Sequence, residues 1–102
     1  MADGTLRDQS IEPSHPGELL GEIVIPGTGL PKTHIAQRLH LSRQTLHDII
    51  TRKQPVTPTV AAKLGKLFGN GAGFWIRMQA TYDTWHAEHD VDVSQIETLD
   101  MA

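Results

Sequence analysis

The chain has 102 residues, of which 38% are hydrophobic, enough for a single small domain. It contains no cysteine, which excludes disulfides and thiolate chemistry, and no apolar run approaches the ~20 residues that span a bilayer. The first residues also lack the pattern of a secretion signal, so we expect a cytoplasmic protein without a membrane partner. The formal net charge is −3 at pH 7.

That net charge hides an uneven distribution along the chain. Residues 1–29 hold one cation and five anions, residues 30–80 hold eight cations and one anion, and residues 81–102 hold six anions and no cation. A basic middle between acidic ends indicates a negatively charged partner for the middle. A mixed, solvated surface is the alternative.

Helical periodicity dominates the chain up to residue 90 and predicts five helices joined by short connections. Their approximate ranges are 14–25, 31–40, 42–52, 58–68 and 73–88. The inward-facing residues predicted in the first four helices are Leu19, Leu20, Ile23 and Val24; Ile35, Ala36 and Leu39; Leu46, Ile49 and Ile50; and Val60, Ala61, Leu64, Leu67 and Phe68.

Particular residues mark the ends of these helices. Pro26 and the glycines after it are expected to end the first helix. Ser42 can cap the third by accepting from the backbone N–H of Gln44 or Thr45, and Thr57 can cap the fourth. Residues 91–99 alternate enough in polarity to predict a short strand.

The second and third helices are short, and their connecting turn is too tight for antiparallel packing. This is typical of a helix-turn-helix unit, whose second helix enters the DNA major groove. Since Arg and Gln match the edges of guanine and adenine, outward polar side chains on that helix predict base contacts. The predicted base-reading residues are Arg43, Gln44, Thr45, His47 and Asp48. The predicted phosphate-binding residues are Lys32, Thr33, Ser42, Arg52 and Lys53.

Two of these residues keep a second interpretation. Asp48 could accept from cytosine, but an acid at this position could also repel phosphate or face water. His47 could contact the groove or have no role in it. The sequence alone does not decide between these roles for Asp48 or His47.

The segment IAQRLHLSRQTLHDII resembles the Xre-type helix-turn-helix family, which includes phage repressors. With the flanking motifs HPGELL, VTPTVAAKLGKLFG and FWIRMQATYDTW, the chain resembles HigA-type antitoxins over about residues 14–90. It differs from that family at His40, where glycine is usual, at Asp48, where Arg or Gln is frequent, and in GNGAGFW, which lacks a Pro-Glu pair. The resemblance implies an all-α, five-helix, lambda-repressor-like domain.

The resemblance also implies a function. HigA-type antitoxins are homodimers that bind a palindromic operator, repress their own operon and neutralise a HigB-like, mRNA-cleaving toxin by direct binding. A stand-alone Xre-type repressor without a toxin partner is the alternative. On this interpretation, residues 1–13 form a flexible segment, 14–90 the DNA-binding domain and 91–102 an acidic tail.

The last helix carries more aromatic bulk than so small a core needs, which predicts a dimer surface there. Phe74 and at least one Trp are expected in the core. The predicted dimer residues are Trp75, Tyr82, Trp85, Val91, Val93 and Ile96. The acids at either end of the chain, in residues 1–29 or in residues 81–102, could meet a basic toxin, or they could simply keep the protein soluble.

Two other classes of function compete with DNA binding. His86 and His89 lie one helical turn apart, yet no metalloprotease motif, nucleophile–base pair or phosphate loop accompanies them. We therefore expect neither an enzyme nor a bound metal or cofactor. A pure protein-interaction module could use the aromatic stripe of the last helix to dock a partner.

Overall fold

A computed structural model describes residues 10–101 of the chain. These residues form five helices and no strand, which confirms the predicted all-α, helix-turn-helix class. The helices are α1, in three consecutive pieces at Pro16–Leu19, Leu20–Val24 and Ile25–Thr28; α2 at Lys32–Leu39; α3 at Arg43–Ile50; α4 at Pro58–Phe68; and α5 at Ala72–Asp90.

Helix α1 continues through the proline that was predicted to end it. Its middle piece is a π turn, in which the N–H of Ile25 donates to the carbonyl of Leu20, five residues earlier. In a regular helix the ring of Pro26 would clash with the carbonyl four residues before it, and the wider π turn relieves this crowding. The helix therefore ends only at Gly29, which adopts a left-handed conformation with φ 72°.

The π turn also changes which side chains of α1 face inward. Leu20 and Ile25, five residues apart, are both buried, at 0% and 3% exposure. Ile23 was predicted to face inward from regular helical spacing, but it is 64% exposed. The prediction for Ile23 is wrong because this residue lies within the π turn, where the wider spacing moves side chains away from their positions in a regular helix.

A single core holds the helices together. The predicted inner faces of α2, α3 and α4 are confirmed at most positions, although Ile50, Leu67 and Phe68 are only partly buried. Trp75 on α5 is fully buried, and its indole N–H donates to Oδ1 of Asn70 at 2.9 Å. The core residues are Leu20, Ile25, Ile35, Ala36, Leu39, Leu46, Ile49, Val56, Val60, Ala61, Leu64 and Trp75.

The segment after α5 is exposed and contains no strand, so the predicted strand at residues 91–99 is wrong for this chain. A short strand requires a neighbouring strand, and the described part of the chain offers none. Its apolar side chains stay outside the core: Val91, Val93 and Ile96 are 57%, 59% and 73% exposed. No helix within residues 10–101 is sufficiently long and apolar to cross a membrane.

The packed part of the chain begins before residue 14, where the domain was predicted to start. Pro13 is buried, and Glu12 contacts the side chains of Arg52 and His86. Residues 12 and 13 therefore pack against the domain. Residues 10 and 11 of the predicted flexible segment are exposed, and residues 1–9 lie outside the described residues, as does residue 102 of the predicted tail.

Candidate nucleic-acid interface

The turn between α2 and α3 contains a residue in a conformation that favours glycine. His40 has φ 55° and ψ 43°. Its N–H donates to the carbonyl of Gln37, and the N–H of Leu41 donates to the carbonyl of Ala36. The carbonyl of His40 in turn accepts from Nζ of Lys63 at 3.1 Å. These bonds fix the turn and tie it to α4.

Helix α3 begins with the predicted cap. The Oγ of Ser42 accepts from the backbone N–H of Thr45 at 3.0 Å and donates to Oγ1 of the same residue at 2.8 Å. Leu46 and Ile49 are buried beneath the helix, so its opposite side faces outward. Thr45 and Asp48 are half-buried. The exposed polar side chains of this helix are Arg43, Gln44 and His47.

A cleft of about 190 Å³ lies between the start of α2 and the outer side of α3. It brings two residues predicted to bind phosphate together with two predicted to read bases. The residues that line it are Lys32, Thr33, Arg43, Leu46, His47 and Ile50. The cleft therefore combines cationic and polar side chains with two apolar ones, Leu46 and Ile50.

The far end of α3 is held by the start of α1. A Cβ atom added to Gly17 would lie 1.8 Å from the backbone carbonyl oxygen of Ile49, and one added to Gly21 would lie 2.6 Å from Cγ2 of Ile50. Only glycine allows the helices to approach this closely. This close approach to α1 helps to fix the orientation of α3.

Arg52 was predicted to bind phosphate, but the structure pairs it with carboxylates. Its Nη1 lies 3.5 Å from Oε2 of Glu18 and 3.8 Å from Oε1 of Glu12. The residue has φ 68°, which turns the chain sharply after α3. Arg52 therefore does not line the cleft. Lys53, the neighbouring candidate, is exposed.

Comparison with known proteins identifies the family of this fold. No protein-family model matches the chain. Virulence-associated protein I of Dichelobacter nodosus is 36% identical over 76 residues, which are 74% of this chain and 70% of that protein. An uncharacterised HTH-type transcriptional regulator of Haemophilus influenzae is 32% identical over 79 residues, or 78% of this chain and 74% of the relative. The chain belongs to this family of HTH-type transcriptional regulators.

The fold of this HTH-type regulator is similar to that of an antitoxin of known structure. Pseudomonas aeruginosa antitoxin HigA, determined with the higBA promoter, is 28% identical to the chain and superposes with a TM-score of 0.76. The match covers 86% of this chain and 99% of that one. The fold is therefore shared with an antitoxin over nearly its whole length.

The regulator also contains a polar cluster that sequence reasoning missed. His15 is 2% exposed, and its Nδ1 accepts from the N–H of Gly17 at 2.9 Å, which caps α1. Burial lowers the pKa of His15, and the positive charge of Arg52 lowers it further. The ring of Tyr82 packs edge-on against it, and burial followed by the charge of Glu12 raises the pKa of that phenol. The position of His15 directly before Pro16 was the available signal.

Gln79 is a second buried polar residue that was not predicted. Its Oε1 accepts from the backbone N–H of Val56 at 2.7 Å, and its Nε2 donates to Oδ1 of Asp83 at 2.9 Å. These bonds attach the loop before α4 to the middle of α5. A glutamine on the apolar side of α5, between Trp75 and Tyr82, could have indicated such a contact.

The structure separates the predicted dimer residues into three groups by their burial. Trp75 is fully buried in the core, so it cannot lie on a dimer surface of this fold. Tyr82 and Trp85 are half-buried on α5. Three further residues of the prediction are exposed in the segment after α5: Val91, Val93 and Ile96.

The two histidines considered as a metal site are engaged in other contacts. Nε2 of His86 contacts Oε2 of Glu12, and its Nδ1 lies 3.7 Å from Oδ2 of Asp90. The ring of His89 stacks on Trp85 with 3.9 Å between centroids. Within residues 10–101, no three His, Cys, Asp or Glu side chains form a group that could hold a metal ion.

Proposed function

We propose that this protein binds operator DNA by placing α3 in the major groove. The observation that carries the proposal is the cleft that Lys32 and Thr33 share with Arg43 and His47. Phosphate contacts position a protein on DNA, and donors on the adjacent helix face then reach the base edges. A surface that holds both kinds of side chain is what this mode of binding requires.

The charge distribution supports the same proposal despite the negative total. Salt-dependent affinity for DNA comes from the phosphates that are neutralised at the docking surface. Residues 30–80 contain a single acidic residue, Asp48, and all other acids of the chain lie before or after this range. The local field at the cleft is therefore set by nearby cations such as Lys32 and Arg43.

The relatives support DNA binding and an antitoxin role. The HigA structure was determined with its promoter, and the superposition covers nearly all of that chain. We propose further that the protein represses its own operon as a homodimer on a palindromic operator. It also neutralises a HigB-like, mRNA-cleaving toxin by direct binding.

The acidic end of the chain supports a basic protein partner. Six carboxylates follow the basic block, all of them exposed: Asp83, Glu88, Asp90, Asp92, Glu97 and Asp100. No cation lies among them. A protein that cleaves RNA needs basic residues to hold its substrate, so opposite charge would speed its encounter with this end.

The DNA-binding proposal is tested with the duplex that lies upstream of the gene. Fluorescence anisotropy should show binding at least ~10³-fold tighter than to a shuffled duplex of equal length and composition. Equal affinity for the two duplexes across a range of salt would reject operator recognition. Binding to neither would reject DNA binding altogether.

A stand-alone repressor is the second candidate, and the similarity to the Haemophilus influenzae regulator favours it. Co-expression with the product of the neighbouring gene separates the two. An antitoxin should co-purify with that product in a fixed ratio and release the cell from its toxicity. If the neighbour neither binds nor harms the cell, the protein is a repressor alone.

A further inference from the structure

Two residues of α3 that were predicted to read bases are bonded to each other. Nε2 of Gln44 donates to Oδ1 of Asp48 at 2.8 Å, across one turn of the helix. Such a pair also stabilises an isolated helix slightly, which is the simplest role it could have. Its position on the exposed side of α3 suggests a second role, which rests on the proposed function of DNA binding.

The bond fixes which way the amide of Gln44 faces. A carboxylate only accepts hydrogen bonds, so the nitrogen end of the amide must point toward Asp48. Rotating the amide by 180° would place Oε1 against the carboxylate, which is repulsive. Gln44 therefore presents Oε1 and its second N–H to whatever lies outside the helix.

This outward edge has a definite complement among the bases. Adenine offers a donor at N6 and an acceptor at N7 in the major groove, which match an amide oxygen and an amide N–H. We propose that Asp48 is a positioning residue that holds Gln44 ready to read an A·T pair. On this account Asp48 itself accepts from no base, and its role differs from the cytosine contact considered from sequence.

Asp48 is well placed for such a role because its backbone is anchored. Its carbonyl oxygen accepts from the N–H of Lys53 at 2.7 Å and from that of Gln54 at 3.1 Å. The next residue, Ile49, is 1% exposed and touches α1 through its carbonyl. The carboxylate thus stands on a turn of α3 that is held by backbone hydrogen bonds and by contact with α1, and Asp48 is half-buried.

The proposal gives Asp48 two effects of opposite sign. Its negative charge repels phosphate, so it should lower affinity for every DNA sequence. Its bond to Gln44 should raise discrimination at one base pair. A residue that only stabilises the helix would have no effect on base preference.

The experiment begins by selecting a preferred site for the wild-type protein from a randomised duplex library. Affinities are then measured for that site, for each single base-pair change in one half-site and for random duplex. The variants are Gln44→Ala, Asp48→Ala, Asp48→Asn and the double variant Q44A/D48A. Circular dichroism and thermal unfolding show that each variant is folded.

The chain offers a matched control. Gln79 and Asp83 on α5 form the same bond at the same spacing, with Nε2 to Oδ1 at 2.9 Å. Asp83→Ala therefore removes an equal charge and an equivalent helix pair, away from α3. It should leave base preference unchanged.

We expect Asp48→Ala to lower the preference for an A·T pair at one position by ~5-fold or more. Gln44→Ala should lose preference at the same position, and the double variant should lose no more than Q44A. Asp48→Asn should lose it too, because its amide no longer dictates the orientation of Gln44. Affinity of Asp48→Ala for random duplex should rise or stay equal.

Three outcomes overturn the inference. Wild-type preference in Asp48→Ala would show that Gln44 needs no positioning. Loss at a base pair that Gln44→Ala does not affect would make Asp48 a reader itself. A wild-type protein that selects no site would refute the proposed operator binding as well, so the two failures are distinguishable.

Discussion

Arg43 is the residue on which the proposed base reading depends most directly. It is exposed on the first turn of α3 and lines the cleft with Lys32. We expect Arg43→Ala to weaken operator binding by ~1–3 kcal/mol and to relax preference at one position, since a guanidinium pairs with two acceptors of guanine. Arg38→Ala, which removes an exposed arginine from a cleft between α2 and α4, is the control. Equal losses in a competition assay would contradict the assignment.

Lys32 should behave differently, as a contact to phosphate. Its replacement by Ala should reduce affinity about equally for all duplexes and lower the slope of log affinity against log salt by ~1. Lys66→Ala on α4, also exposed, should leave the slope unchanged. A loss confined to one operator variant would show that Lys32 reads a base.

His15 gives the stability of the fold a dependence on pH. Its Nδ1 must be free of a proton to accept from Gly17, and its pKa in the folded protein lies below the ordinary value of 6.5 because of burial and then Arg52. The unfolded chain therefore takes up the proton first, so this contribution is complete above about pH 6.5 and is lost as pH falls. Urea unfolding between pH 7.5 and 5 should show declining stability, and His15→Asn should decline less because Asn accepts without titrating. Identical pH profiles would disprove this.

At the scale of the helices, the contact between α1 and α3 should control stability. Gly17→Ala places a methyl group 1.8 Å from the carbonyl oxygen of Ile49, so we expect a loss of at least ~1–3 kcal/mol in the free energy of unfolding. Gly27→Ala has open space around it in the same helix and should stabilise by about 0.4–1 kcal/mol. Denaturant titration of both variants decides between this contact and a general intolerance of Ala in α1.

The sequence predicted a helix end correctly where residues of the next turn alone determine it. Ser42 and Thr57 cap α3 and α4 as expected, since a cap needs only the residues of the next turn. The π turn of α1 was not predicted, because regular helical spacing contains no sign of an added residue. In the structure, the π turn lies just before Pro26 and changes which side chains of α1 face the core.

The contact partners of charged and polar side chains could not be predicted from the sequence. Arg52 and Lys53 look alike in sequence, yet the first faces two carboxylates that lie 34 or more residues away along the chain. Gln79 bonds to a residue 23 positions earlier. Such contacts depend on how helices assemble, whereas the outward side of α3 followed from periodicity alone.

For the whole molecule, we predict a dimer formed through α5 and the segment after it. Ile96 is 73% exposed, so pairing with a second copy would bury surface that the monomer leaves in water. Ile96→Glu should shift the protein to monomer in sedimentation at micromolar concentration. Ile23→Glu changes another exposed isoleucine, on α1, and should not. A wild-type monomer under these conditions would refute the prediction.

The contacts of Glu12 and Pro13 bear on where a fragment of this chain should begin. A fragment beginning at Ser14 would leave Arg52 with Glu18 as its remaining carboxylate partner among those described, and would strip the buried proline from the surface of α5. The bend after α3 would then lose one of its two electrostatic ties. Fragments intended to isolate the DNA-binding unit should therefore keep Glu12 and Pro13, and a fusion partner joined at residue 14 would remove both contacts.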